Sequence, residues 1–193
     1  MQITETGLPG LLLIEPKVFG DSRGFFLETW SRATFASHGL DYDFVQDNHA
    51  RSGPAGVLRG LHFQRPPAAQ AKLVRISRGA VFDVAVDLRQ GSPTFAKWYG
   101  AILSAGNFKQ LLIPRGFAHG YLTLEPDTEF LYKVDAPYSP ELDAGLAWDD
   151  PDLAVAWPLA EHGIAAPVLS DKDTRLPCWA DFVSPFTFTL PGR

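Results

Sequence analysis

The chain of 193 residues contains a single cysteine, Cys178. One thiol cannot form an intrachain disulfide or a cysteine-based zinc site, both of which need partners. The sequence has no basic excess either: 17 lysines and arginines stand against 22 acidic residues, for a net charge of -5. A general nucleic-acid or membrane-surface binder carries the opposite balance, although a local basic pocket for an anionic small molecule stays open. No apolar run approaches the ~20 residues of a membrane helix, and no N-terminal stretch has the layout of a signal peptide. The expectation is a cytoplasmic protein with neither nucleic acid nor membrane as partner. Internal repeats and low-complexity segments are also missing.

What is present is enough for one substantial core, and nothing divides it, so a single domain over residues 1–193 is expected. Hydrophobic content of 46% and charged content of 20% suit an ordinary globular chain. Phe82, Val84, Val86 and Leu88 alternate with Val81, Asp83, Ala85 and Asp87, which is the period-2 pattern of a strand. Further short strands are expected at Leu11–Ile14, Phe25–Trp30, Phe44–His49, Lys72–Ile76, Phe95–Ser104, Gln110–Ile113, Ala118–Leu124 and Glu129–Val134. Turns at Gly20–Gly24, Arg51–Gly56, Gly91–Pro93 and Ala105–Asn107 separate several of them. Ser31 can cap one short helix that runs to about His38, with Gly39 as its stop. The tail from Ala136, rich in proline and tryptophan, has little periodicity and is expected to wrap the body. The fold class is all-β, a barrel or a double-sheet sandwich.

Three positively charged or imidazole-bearing stretches interrupt this pattern. Val57-Leu58-Arg59-Gly60-Leu61-His62-Phe63-Gln64 sets an arginine and a histidine about a glycine in an apolar run, and Lys72 follows in the next strand. Pro114-Arg115-Gly116-Phe117-Ala118-His119-Gly120 adds a second histidine after a turn. Such groups on β-rich apolar segments are costly without partners, which marks a site. Pro-x-Gly-x-x-His is similar to the second motif of a cupin-type jelly roll. In the first cupin motif, however, Gln64 replaces the second histidine and Lys72, seven before Gly79, replaces the glutamate. An ammonium has no lone pair for a metal, so a lost metal site is expected. Arg59 and His62 are three apart, and a regular strand would aim them at opposite faces. If both serve one pocket, Gly60 marks a bulge.

Seven ordered blocks together resemble the dTDP-4-dehydrorhamnose 3,5-epimerase family. They are Gly20–Phe26, Val45–His49, Leu58–Gln64, Ile113–Gly120, Glu129–Lys133, Tyr138–Pro140 and Leu169–Asp173, reaching across most of the chain. The resemblance implies a cupin-type barrel acting on a dTDP-linked 4-keto-6-deoxy sugar, without a cofactor or a metal. It matches His62 to the base, Asp173 to the carboxylate that orients it, and Tyr132 to the acid on the opposite ring face. It matches Lys72 to stabilisation of the enolate oxygen, a role its chemistry also suits. Arg59 and His119 would meet the diphosphate, assisted by Arg23. Gln46, Asn48 and Lys172 match nucleotide or sugar contacts, and Tyr138 an aromatic position beside the ligand. Asp143 falls where relatives often have glutamate. The implied assembly is a homodimer with exchanged N-terminal strands, which bring Arg23 and Glu28 into the neighbour's site.

Each of these residues also has a plainer reading. His62 or His119 could be a hydrogen-bonded structural histidine, and Tyr132 shares parity with Phe130 and Val134 as a core residue would. Lys72 could be a lysine that protects an edge strand, Arg23 a turn residue, and Asp173 a solvated carboxylate. The Phe25–Phe26 pair reads first as core or interface, with Phe26 the better candidate for a ligand contact. Asp83 stands opposite its strand's aliphatic face, where it could pair with a buried cation. Rival functions are a mono-epimerase of carbon 3 or carbon 5, a non-catalytic sugar-nucleotide-binding cupin and, further off, a metal-dependent oxygenase.

Overall fold

A computed structural model describes residues 1–189; the last four residues of the expected domain lie outside that range. Six strands form one antiparallel sheet: β1 (Gln2–Glu5), β2 (Leu12–Glu15), β5 (Gln46–Ser52), β7 (Lys72–Arg78), β10 (Gln110–Ile113) and β12 (Thr128–Val134). Their order is β1-β2-β10-β7-β12-β5. A second antiparallel sheet contains β6 (Leu58–Gln64), β8 (Ala80–Asp87), β9 (Trp98–Ser104), β11 (Phe117–Thr123) and β13 (Asp143–Gly145), ordered β13-β6-β11-β8-β9. The remaining pair, β3 (Val18–Asp21) and β4 (Gly24–Leu27), is a hairpin that joins neither sheet.

The two large sheets face one another, as their alternation requires. Val74, Ile76, Leu111, Ile113 and Phe130 from the six-stranded sheet meet Val81, Ala85, Leu103, Phe117 and Tyr121 from the other. Burial of a large apolar side chain contributes roughly 1.5–3 kcal/mol, so this inter-sheet layer is the principal source of cohesion. The outer face of the five-stranded sheet is covered as well. Leu146, Leu153 and Phe186 from the C-terminal tail pack on Leu61, Phe63, Val84, Val86 and Ala118. The tail therefore wraps the body as its composition suggested, and Arg89 fastens it. Its guanidinium bonds both oxygens of buried Asp87 at 2.8 Å and stacks near Phe117 and Phe188.

The single α-helix among the described residues, α1 (Arg32–Ala36), starts at Ser31, whose side chain accepts from the Thr34 N–H. It buries Phe35 against Ile14, Leu73 and Leu112 on the outer face of the six-stranded sheet. The structure differs from the sequence pattern in several places. β1 and β3 are strands without a strand signal, because Gln2–Glu5 has no apolar run and Val18–Asp21 overlaps turn chemistry. β13 lies inside the aperiodic tail, at three residues too short to display a period. β5 runs on to Ser52, into what reads as loop, and β9 begins only at Trp98 because Pro93 and its neighbours turn first. Lys72 is no edge-strand guard: β7 lies between β10 and β12.

Candidate active site

A cavity of about 330 Å³ opens between the two sheets. Lys72 on β7 enters it from the six-stranded sheet, with Ala50 on β5 and Phe130 and Tyr132 on β12. From the other sheet come Arg59 and His62 on β6, and His119 and Tyr121 on β11. Ser170, Lys172 and Asp173, from the tail, close one side. A second hollow of about 330 Å³ on the outward face of the six-stranded sheet is lined by Asp47, His49, Arg75 and Lys133, among others. It contains neither histidine of the interior cavity, and the chemistry converges on the interior one.

Arg59 and His62 share that cavity because of a register shift. His119 stands opposite His62 and Tyr121 opposite Arg59, so three steps on β6 match two on β11. The extra residue is accommodated at Gly60, where φ is +130°. A Cβ there would lie 2.5 Å from the Gly120 Cα and 2.9 Å from the His119 carbonyl oxygen. The bulge expected at Gly60 is present, and only glycine fits it.

Asp173 is buried, not a solvated loop carboxylate. His62 Nε2 lies 2.6 Å from Asp173 Oδ1. The approach is off the line of a good N–H donor bond, so it is described as a close contact. The Ser170 hydroxyl donates to Asp173 Oδ2 at 2.6 Å, and the Gly60 N–H reaches Oδ1 at 3.4 Å. Burial acts to raise the pKa of Asp173, but His62, Ser170 and the Gly60 amide outweigh it and hold the carboxyl down at about 2. Asp173 is therefore a carboxylate throughout the working range and can favour an imidazolium beside it.

Deeper in the cavity, Asp83 is fully buried and receives His119 Nε2 on both oxygens at 3.0 Å. Burial pushes Asp83 up and His119 down, with each partner offsetting the other's shift. Asp83 thus does pair with a buried ring, and it also faces the Lys72 ammonium. Burial lowers Lys72 to about 8, with the charges of Asp83 and Asp143 pulling it back up and Lys172 pushing it further down. Tyr132 is raised by burial, Arg59 opposing and Asp143 assisting, so its hydroxyl keeps its proton.

At the mouth, Asp143 Oδ2 accepts from the Tyr138 hydroxyl at 3.0 Å and pairs with Lys172. Gln46 donates to Asn48 at 2.9 Å, and Asn48 stands opposite Tyr132 in the β5–β12 register. The structure therefore assembles Arg59, His62, Lys72, His119, Tyr132, Lys172 and Asp173 in one cavity. Tyr138 and Asp143 join it through Lys172, whereas Gln46 and Asn48 lie beside Tyr132 and Asn48 lines the outward hollow. It does not bring in Arg23, Phe26 or Glu28. All three are exposed on or beside the separate hairpin, where Arg23 pairs with Asp21. Sequence reasoning gave no role to Tyr121 or Ser170. Tyr121 is two residues past His119 on the same strand face, a parity that could have found it. It is stacked on Phe130 at 4.0 Å, and burial pushes its hydroxyl up to about 12. Ser170 precedes Asp173 by three, the spacing of a local side-chain bond to the backbone N–H, which it accepts at 3.2 Å.

Comparison with known proteins gives a consistent result. Residues 5–181 match the family model described as dTDP-4-dehydrorhamnose 3,5-epimerase. The enzyme of that name from Escherichia coli is 52% identical over 178 residues, which span 91% of this chain and 93% of that protein. A Legionella pneumophila 3,5-epimerase, solved with dTDP-4-keto-L-rhamnose, superposes with a TM-score of 0.91 at 42% identity, covering 98% of this chain and 99% of that one. A 3′-monoepimerase from Streptomyces bikiniensis, solved with dTDP-quinovose, gives 0.83 at 34% identity, over 90% and 86%. Among the described residues no helix is long and apolar enough to cross a membrane.

Proposed function

Because the chain belongs to the dTDP-4-dehydrorhamnose 3,5-epimerase family, we propose that the interior cavity takes up dTDP-4-dehydro-6-deoxy-D-glucose and inverts carbons 3 and 5. The observation that carries this reading is one cavity in which the His62–Asp173 contact faces both Lys72 and Tyr132. The ketone at carbon 4 acidifies the hydrogens on its two neighbours. His62 takes such a hydrogen as a proton, through the ring nitrogen turned away from Asp173, and the C–H electrons move into an enolate. Asp173 stabilises the resulting imidazolium, and the Lys72 ammonium stabilises the enolate oxygen. Tyr132 then delivers a proton to the opposite face of the carbon. Water restores the tyrosine proton and takes the one held by His62, so the enzyme returns to its starting state. Substrate and product have the same oxidation level, and every step is a proton transfer.

Arg59 and Lys172, exposed at the mouth, suit the diphosphate. His119 is committed to Asp83 through Nε2 and shapes the cavity floor, with its other ring nitrogen left for ligand. The β3–β4 hairpin supports a homodimer. Phe19, Phe25 and Phe26 are 52%, 62% and 70% exposed on a pair of strands that joins neither sheet, and apolar surface of this kind is normally covered. Exchange of this N-terminal segment with a second copy covers it and carries Arg23, Phe26 and Glu28 to the neighbour's cavity mouth. A Phe19→Glu/Phe26→Glu double variant is expected to elute as a monomer in light-scattering chromatography and to bind dTDP about tenfold more weakly, the loss of one charged or stacked contact. A dimer that persists with full dTDP affinity sinks the exchange.

The decisive assay incubates the enzyme with dTDP-4-dehydro-6-deoxy-D-glucose in deuterated water and follows both ring positions by NMR. Deuterium at carbons 3 and 5 with product formation is expected. Label at one carbon alone makes the enzyme a mono-epimerase, and label at neither makes it a binding protein.

A further inference from the structure

Gln64 is two residues after His62 on β6, in the position where the first cupin motif supplies its second histidine. It is buried, and its amide is fully engaged with backbone. The oxygen accepts the Ser139 N–H at 2.7 Å, and the nitrogen donates to the carbonyls of Ala68 at 2.7 Å and Pro137 at 3.2 Å. Two more glutamines hold the same segment. Gln70 donates to the Ala136 carbonyl at 2.8 Å, and Gln46 accepts the Tyr138 N–H at 3.2 Å. Four consecutive residues, 136–139, are thus pinned by side-chain amides instead of by a strand ladder, from β5 of one sheet, β6 of the other and the loop between β6 and β7. The middle of that segment carries Tyr138, whose hydroxyl bonds Asp143, and Asp143 in turn pairs with the cavity residue Lys172.

We propose that Gln64 is a positioning residue: it fixes the 136–139 segment so that Tyr138, Asp143 and Lys172 form a preset rim for the nucleotide sugar. This rests on the functional reading above. A local bond to a mobile rim would cost ordering entropy each time ligand bound; a rim already held avoids that cost. The hydrogen bonds of Gln64 go to neither His62 nor Asp173, and the rim contacts ligand equally before and during proton transfer. Its loss therefore weakens binding uniformly, which raises KM and leaves kcat in place.

The test is Gln64→Met, which keeps the length and removes all three bonds. KM for the dTDP-sugar is expected to rise about fivefold or more with kcat within about twofold. By hydrogen-exchange mass spectrometry, the amides of Tyr138 and Ser139 are expected to exchange about tenfold faster or more. An unchanged KM overturns the proposal, whether or not kcat or the melting temperature falls, since that is the outcome of a merely structural glutamine. If Gln64→Met does not fold, Gln64→Glu is measured the same way. It keeps an acceptor for Ser139 but loses both donors, and the same direction of KM change is required. If the wild-type enzyme turns over no dTDP-sugar, the functional reading fails on its own. Amide exchange and calorimetric dTDP affinity then decide the role of Gln64: unchanged values in the variant overturn it.

Discussion

His62→Ala is expected to lower substrate hydrogen exchange at both ring carbons by about 10²–10⁴-fold, the usual contribution of a positioned general base. The binding of dTDP is expected to be nearly unchanged, because the diphosphate contacts are proposed for Arg59 and Lys172 at the mouth. NMR exchange kinetics and calorimetry measure the two quantities separately, and exchange at the wild-type rate removes His62 from the mechanism. The variant also has a signature in acid. The folded pKa of Asp173, about 2 against an ordinary 3.8, is depressed. Its contribution to stability is therefore present above the unfolded value and is lost as pH falls through the folded one. Removing His62 deletes one of the groups that hold the carboxyl down, leaving Ser170 and the Gly60 amide. Loss of that contribution then begins closer to pH 3.8, and a melting-temperature series between pH 5 and 2 reads the shift.

The sequence made the strands of the barrel legible where their period is long enough, as in Phe82 to Leu88, and left β13 invisible because three residues carry no period. Gly60 was informative for a stronger reason. Two functional side chains three apart on a strand cannot share a face without an extra residue, and the bulge follows from that geometry alone. Asp83 illustrates the opposite limit. Its parity exposed it as a buried carboxylate, but its partner His119 is 36 residues away on a neighbouring strand, and pairing across strands is a matter of register that one strand's pattern does not contain. Gln64 could be read only as a departure from a metal motif. Two of its three partners are backbone groups of a segment more than 70 residues downstream, which no local pattern announces. Arg23, Phe26 and Glu28 stand apart from the cavity within a single chain; the proposed exchange with a second copy is what would carry them to it.

Lys72→Met carries the second large effect. In the proposed mechanism an enolate oxygen forms in the cavity that the Lys72 ammonium enters, and removing one preorganised donor to an oxyanion lowers kcat by about 10²–10³-fold, roughly 2.7–4 kcal/mol. The same residue sets an alkaline limit. Burial brings its pKa to about 8, despite the opposing charges of Asp83 and Asp143. The ammonium is charged below that pH and neutral above it, so kcat/KM, which reports the free enzyme, is expected to fall as pH rises through about 8. In Lys72→Met that limb disappears from a rate already low; in Lys72→Arg it moves beyond the accessible range, because a guanidinium stays protonated. Stability argues in the other direction from activity. A buried ammonium depressed by desolvation costs folding free energy when charged, and methionine removes that cost while Asp83 keeps its bond to His119. A large loss of turnover with no loss of melting temperature therefore separates electrostatic catalysis from damage to the barrel. A fall of less than tenfold, or an alkaline limb that survives the loss of the amine, assigns the enolate to another cation.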